Sequence, residues 1–224
     1  MKREVITTAD GSRTIFIPEM EENYHSGHGA LQEALHVFIK NGLSDLMDQK
    51  EITVFEMGFG TGLNAFLSLL EAEKVGVKVK YSGIEAFPVV VEMALEMDYP
   101  GMVGGEFREL FELMHRSSWG EFHDLTNNFS FRKIHAKIED HSTESDLYDI
   151  IYYDAFGPRA QQAMWEPVIL QKMYDMLKPG GFLVTYCAKG QVKRDLRSLG
   201  FEVQALPGPP GKREMTRALK IVNC

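Results

Sequence analysis

A chain of 224 residues with 44% hydrophobic and 25% charged residues has ordinary globular composition, enough for one well-filled α/β domain and short for two. Two cysteines, Cys187 and Cys224, exclude a disulfide framework or a cysteine-built metal cluster and suit a reducing, cytoplasmic setting; no apolar run approaches the roughly 20 residues of a membrane span, and Met1-Lys2-Arg3-Glu4 lacks a signal-peptide core. The net charge of −8 argues against a polyanionic partner until its distribution is read: from Lys178 onward nine Lys or Arg stand against three acids, a basic C-terminal region on an acidic body.

Along the chain, Glu4–Ile17 reads as a β-hairpin, with Asp10-Gly11 turning between Val5-Ile6-Thr7-Thr8 and Thr14-Ile15-Phe16-Ile17. Tyr24-His25-Ser26 with Gly27 and Gly29 then suggests a loop that closes over a ligand, the plainer alternative being capping and loop packing. His25, His28 and His36 invite a metal, but no carboxylate or cysteine completes a ligand set at a recognised spacing, so none is expected. Leu31, Leu35, Phe38 and Ile39 form the apolar stripe of the helix that follows.

Ile52, Val54 and Phe55 suit a buried parallel strand that breaks at Gly58, Gly60 and Gly62 and restarts as a helix from Leu63-Asn64. A dinucleotide site wants G-x-G-x-x-G, whereas here the glycines alternate and are led by an acid, Glu56. Val77–Glu85 alternates as the next strand and ends in Glu85, about 20 residues beyond the glycines, where an acid accepts hydrogen bonds from ribose hydroxyls. Phe87-Pro88 is expected to open a helix with Pro in its first turn. Residues 99–130 read only as helix and loop beside the sheet, and Phe131–Ala136 as a third strand.

Leu147–Tyr153 is a buried strand that delivers Asp154 to its carboxyl end, the ligand-binding edge of an open α/β sheet. A helix over Glu166–Leu177 stops at Lys178-Pro179-Gly180-Gly181, followed by a strand Phe182–Cys187, a basic helix Gln191–Leu199 and a strand Phe201–Leu206. The loop Pro207–Gly211 leads through Lys212-Arg213-Glu214-Met215 to a closing strand, Arg217–Val222.

Four groups of residues together resemble the MnmC-type methyltransferase of bacterial wobble-uridine modification, or its stand-alone MnmD form, over nearly the whole chain. They are Tyr24-His25-Ser26 with Gly29; Glu56-Met57-Gly58-Phe59-Gly60-Thr61-Gly62-Leu63-Asn64; Asp154-Ala155-Phe156-Gly157-Pro158 with Met164-Trp165; and Lys212-Arg213-Glu214-Met215. The resemblance implies a single domain with a Rossmann-like class I methyltransferase sheet and helices on both faces, made of an N-terminal hairpin and helix extension (1–48) and a cofactor-binding core (49–224) that ends in an antiparallel hairpin. It implies S-adenosyl-L-methionine as cofactor and N-methylation of the 5-aminomethyl group of 5-aminomethyl-2-thiouridine, with the tRNA anticodon region as partner and no membrane. The bifunctional form continues into an FAD-dependent oxidase that this chain is too short to hold, so no flavin is expected.

Carried onto these positions, cofactor contacts fall to Tyr24, Ser26, Glu56, Gly58, Gly60, Gly62, Leu63, Asn64, Glu85 and Asp154-Ala155-Phe156, with Glu56 orienting the cofactor's ammonium group directly or through water. Ala136, Lys137 and Ile138 flank the adenine. Substrate contacts fall to His25, Phe156, Pro158, Trp165, Lys212, Arg213 and Glu214; Trp165 or Tyr24 would stack on the uracil, with core packing the alternative for each. Asp154 is the catalytic candidate, to orient the amine or take its proton, although an aspartate of ordinary pKa is a poor base for an alkylammonium. Two other readings stay open: an aminopropyltransferase of spermidine-synthase type, which the apolar flanks of Asp154 disfavour, and an RNA-binding module without catalysis. The sequence leaves the oligomeric state open.

Overall fold

The computed structural model describes residues 2–142 and 144–222; Met1 and Cys224, named above, lie outside the described residues. Strands β1 (Glu4–Thr7) and β2 (Arg13–Ile17) form the expected hairpin, and β3 (Glu22–Asn23) makes it a three-stranded antiparallel sheet. Asp10 does more than turn the hairpin. One carboxylate oxygen accepts the Ser12 N–H (3.0 Å) and the other accepts the Gln32 N–H (3.1 Å), so the turn also caps the next helix from a distance.

That helix begins as α1 (Ala30–Ala34) and continues as a π-helical segment over Leu35–Lys40. Ala30, Glu33, Ala34, Val37 and Phe38 keep regular helical spacing, and the wider turn brings Ile39 onto the same face. Ala30, Glu33, Ala34, Val37, Phe38 and Ile39 face inward while Leu35 is 41% exposed, which corrects the stripe of Leu31, Leu35, Phe38 and Ile39 expected from a regular helix.

The main sheet carries β4 (Glu51–Met57), β5 (Lys78–Glu85), β6 (His123–Asp124), β7 (Phe129–His135), β8 (Tyr148–Tyr153), β9 (Leu177–Thr185), β10 (Phe201–Pro207) and β11 (Glu214–Lys220). Their order is β10-β11-β9-β8-β4-β5-β7-β6; the five strands from β9 to β7 are parallel, and the sheet is closed on one side by the antiparallel hairpin β10–β11. Between the strands run α2 (Leu63–Val75), α3 (Val91–Glu96), α4 (Tyr99–Met102), α5 (Arg108–Arg116), α6 (Pro167–Met176) and α7 (Gly190–Ser198).

Strand alternation divides the core into two layers. Ile52 and Val54 of β4, with Ile150 and Tyr152 of β8, pack towards α1, α2 and α5, whereas Phe55, Met57, Ile151 and Tyr153 pack towards α6 and α7. Glu56 and Asp154 continue the first set, and both therefore face the layer of α2. That parity places the site.

Two local expectations are corrected. Phe87-Pro88 is an irregular link and α3 starts only at Val91, because Arg3 takes up the carbonyls of Phe87 and Pro88 as hydrogen-bond acceptors and Glu85 accepts the Phe87 N–H (2.9 Å). Lys178-Pro179-Gly180-Gly181 does end a helix, but it belongs to β9 as an irregular insertion: Tyr148 pairs with Leu177 and Ile150 with Phe182, and the four residues between bulge out. Among the described residues, no helix is long and apolar enough to cross a membrane.

Candidate active site

The carboxyl ends of the central parallel strands open on a cavity of about 300 Å³. Its floor is the glycine turn. Gly58 has φ +91° and a Cβ there would stand 2.8 Å from the Asp154 carbonyl oxygen, so β4 and β8 end this close together only without a side chain. At Gly60 a Cβ would come within 3.1 Å of the Tyr24 ring, which lies across the turn. Leu63 and Asn64, the first residues of α2, complete this side, while Gly62 lies behind it against His115.

Glu85 ties the turn to the next strand. One carboxylate oxygen accepts the Gly60 N–H (3.0 Å) and the other the Phe87 N–H, and both the acid and Phe87 border the cavity. Ala136, Lys137 and Ile138 form the wall beyond β7, and Asp154, Ala155 and Phe156 the opposite one. Tyr24 meets Phe156 edge to face with centroids 5.2 Å apart, and burial pushes its hydroxyl up to about 12. His25 also borders the cavity. Its ring Nδ1 and backbone N–H both hydrogen-bond Thr14 Oγ1 (2.9 and 3.1 Å), and burial lowers its pKa to about 4, so it is neutral at neutral pH.

The centre of charge is a three-residue arrangement. Asn64 Nδ2 donates to Asp154 Oδ2 at 2.8 Å and to Glu56 Oε1 at 2.9 Å. Asp154 turns one face to the cavity yet is otherwise surrounded by protein, and burial, then Glu33, raises its pKa to about 7 against the opposing Asn64 hydrogen bond and Lys212. Glu56 is 0% exposed and lies beneath the cavity wall; burial, then Asp154, holds its carboxyl well above the usual carboxylate range.

Other expected residues fall outside the cavity. Ser26 donates its N–H to Glu33 (3.0 Å) and accepts the His28 N–H on its hydroxyl (3.2 Å), a local turn. Trp165 is 5% exposed and packs on Tyr153 at 4.9 Å; its indole N–H donates to the Phe156 carbonyl (2.8 Å), so it steadies the Phe156 segment from below. Pro158 follows that segment, half-buried, beyond the wall. Lys212 pairs with Glu33 and sits 3.9 Å from the Tyr186 ring centroid, and Glu214 pairs with Lys193 at 2.7 Å. Arg213 is exposed and has no side-chain partner among the described residues. Of the nine C-terminal cations, five are held in ion pairs (Lys178, Lys193, Lys212, Arg217 and Lys220), so much of the expected basic face is neutralised. His36 hydrogen-bonds the Pro207 carbonyl at 2.8 Å, far from a shared centre with His25. Among the described residues no group of three His, Cys, Asp or Glu could hold a metal ion.

Several wall residues carry no signal of their own in the sequence. Arg3 reaches the cavity only because the hairpin folds back over the sheet, and Thr61, hydrogen-bonded to the Tyr99 hydroxyl at 2.8 Å, is anchored from the region that reads least clearly. Met164 stands beside Trp165 in a marker already noted, but its place in the wall depends on the turn before it.

A parallel sheet with a glycine turn after its central strand, acids ending the flanking strands and a terminal antiparallel hairpin define a class I methyltransferase. A family model described as S-adenosyl-L-methionine-dependent methyltransferase matches residues 114–221. The chain is 30% identical to the tRNA 5-methylaminomethyl-2-thiouridine biosynthesis bifunctional protein MnmC of Cupriavidus necator, covering 96% of this chain and 34% of that protein. The like-named protein of Leptospira interrogans is 29% identical over 88% of this chain and 32% of its own length. The crystal structure of MNMC2 from Aquifex aeolicus superposes with a TM-score of 0.77 at 25% identity, over 97% of this chain and 70% of that one. The chain belongs to the MnmC-type S-adenosyl-L-methionine-dependent methyltransferases. It spans about a third of the length of the curated relatives it matches.

Proposed function

We propose that this chain methylates the 5-aminomethyl nitrogen of 5-aminomethyl-2-thiouridine at the tRNA wobble position, giving 5-methylaminomethyl-2-thiouridine, in the cytoplasm. The observation that carries this reading is Asp154: a carboxylate with pKa about 7 that borders the cavity beside the glycine turn. Its support is kinship with proteins named for 5-methylaminomethyl-2-thiouridine biosynthesis.

The residues present fit an adenosyl sulfonium. Gly58 and Gly60 bring bare backbone to the floor, Glu85 offers an acceptor for ribose hydroxyls, and Ala136, Lys137 and Ile138 flank a slot for adenine. Asp154-Ala155-Phe156 would lie along the remainder. When bound, S-adenosyl-L-methionine supplies a methyl group on a positively charged sulfur, open to displacement by an amine lone pair.

The protein's task is to bring a neutral amine there and exclude water. An alkylammonium has a pKa near that of lysine, about 10.4, so a carboxylate at its ordinary value would face a gap of roughly six units. Asp154 at about 7 narrows that gap by about three units and can take up the ammonium proton as the amine is aligned. Tyr24 and Phe156 are the aromatic surfaces against which an extruded uracil would stack, and exposed Arg213 is suited to a phosphate.

The test is transfer of labelled methyl from S-adenosyl-L-methionine to tRNA that carries 5-aminomethyl-2-thiouridine. Label is expected in tRNA with the native chain and not with Asp154→Ala, while calorimetry still registers cofactor binding by the variant. Cofactor binding without transfer to this tRNA, or transfer only to a polyamine, would overturn the assignment.

A further inference from the structure

Glu56 heads the glycine turn, where the sequence suggests a partner for the cofactor's ammonium group. The geometry gives it a different neighbour. Its side chain is 0% exposed and shares Asn64 Nδ2 with Asp154: the amide nitrogen lies 2.9 Å from Glu56 Oε1 and 2.8 Å from Asp154 Oδ2. An amide has a single NH₂, with two hydrogens, and an oxygen that can only accept. Two carboxylates claim both hydrogens, so Asn64 Oδ1 is turned away, buried and without a partner among the described residues.

We propose that Glu56 is a positioning residue for Asp154, acting through Asn64, and not a direct partner of the cofactor. Without an acceptor at Glu56, Asn64 is free to rotate and present its oxygen to Asp154, which removes the donor that favours the ionised carboxylate. Strand register brings the two acids to one face. Glu56 and Asp154 project from neighbouring strands to the face on which α2 begins, and the Asp154 N–H is itself held by the Met57 carbonyl at 3.0 Å. The consequence for catalysis rests on Asp154 as the proton acceptor of the proposed reaction.

Other groups also face Asp154. Glu33 from α1 raises its proton affinity and Lys212 from the C-terminal loop lowers it; the hydroxyls of Tyr81, Tyr99 and Tyr186 are all driven upward by burial and stay neutral. None of these is altered in the variants below, and Glu56→Gln and Glu56→Met remove the charge of Glu56 alike, so a shift seen with Met and not with Gln reports the Asn64 link.

Glu56→Gln keeps an acceptor oxygen but cannot carry charge; Glu56→Met fills similar space with no such acceptor. With Gln, kcat is expected to stay within about threefold of native, whereas with Met it falls roughly 100-fold and the ascending limb of its pH profile moves up. Cofactor Kd should change less than about threefold in either. The Asp154 carboxyl, followed by carbon-13 NMR on the cofactor-bound protein without tRNA, should titrate higher in Glu56→Met and in Asn64→Ala but not in Glu56→Gln. A tenfold weaker cofactor Kd in both Glu56 variants, the mark of a lost ammonium partner, would overturn the proposal. So would an Asp154 titration unchanged in Asn64→Ala, which decides the matter even where Glu56→Met does not fold. Since the NMR readout needs no tRNA, failure of the native chain to methylate tRNA would instead remove the proposed function.

Discussion

Two places in this molecule set carboxylates in poor contact with water, and they manage the charge in different ways. At the sheet edge Glu56 and Asp154 have no cation between them; a neutral amide is shared, and both proton affinities rise. At the clamp between the N-terminal extension and the C-terminal loop, Glu33 is only 7% exposed but has Lys212 against one oxygen and the Ser26 N–H on the other. The first arrangement makes a group that can exchange a proton near neutral pH. The second neutralises a charge and fastens two chain segments 179 residues apart. Burial alone thus does not assign a role to an acid; the charge of its partner does.

The contrast is broken most severely by Asp154→Asn. The amide keeps the shape but cannot take a proton, so kcat is expected to fall about 1,000-fold in the methyl-transfer assay. Stability should move the other way. The folded-state pKa of Asp154 is raised from 3.8 to about 7, so its contribution is fully present below 3.8 and lost as pH rises through about 7. Asp154→Asn abolishes that loss. Its Tm relative to native should therefore climb between pH 4 and pH 7.5; a difference that is flat across this window would show that Asp154 is not held protonated by the fold.

Gly58→Ala attacks the same edge through the backbone. The added carbon meets a main-chain carbonyl at 2.8 Å from a residue at φ +91°, and what it meets is backbone, not the flexible end of a side chain. A loss of roughly 1–3 kcal/mol is expected in denaturant unfolding, together with weakened cofactor binding by calorimetry. Native-like stability and affinity would mean that β4 and β8 do not close over the turn in this way.

How far the sequence discloses these two places follows from their physics. The edge was legible because strand periodicity, the alternating glycines and an acid at each strand end are local patterns, and local patterns specify the backbone that carries them. Reading parity one step further, from Val54 to Glu56 and from Tyr152 to Asp154, would also have shown both acids facing α2. The clamp was not legible. Lys212 reads as a substrate contact because Glu33 is distant in sequence, and Trp165 reads as a stacking platform because its neighbours Tyr153 and the Phe156 carbonyl meet it only after the chain turns back. The inward face of the first helix is likewise carried by Ala30, Ala34 and Val37, which have the same i, i+4, i+7 spacing as the larger Leu31, Leu35 and Phe38, so side-chain size points to the wrong stripe.

Lys212→Met tests the clamp. It strands the buried Glu33 carboxylate, and a destabilisation of about 1–2 kcal/mol is expected, below the value for a fully buried pair because the lysine is partly exposed. Lys212 also lowers the proton affinity of Asp154, so the ascending limb of kcat should move up, by less than in Asn64→Ala, in which a direct hydrogen bond is lost. A limb unmoved by Lys212→Met alongside normal folding would separate the clamp electrically from the edge.

Arg213→Ala should have the smallest effect, and its value lies in that contrast with the adjacent lysine. The side chain is exposed and bound to no described residue, so Tm should be unchanged. If Arg213 contacts a tRNA phosphate, binding of tRNA weakens only a few-fold, on the order of 1 kcal/mol, and the slope of log affinity against log salt falls by about one contact. Neighbouring cations would then divide cleanly, Lys212 serving the fold and Arg213 the ligand. An Arg213→Ala chain with native tRNA affinity and an unchanged salt slope would shift the phosphate contacts elsewhere, with Lys189, Arg194 and Arg197 the remaining C-terminal cations outside the five ion pairs.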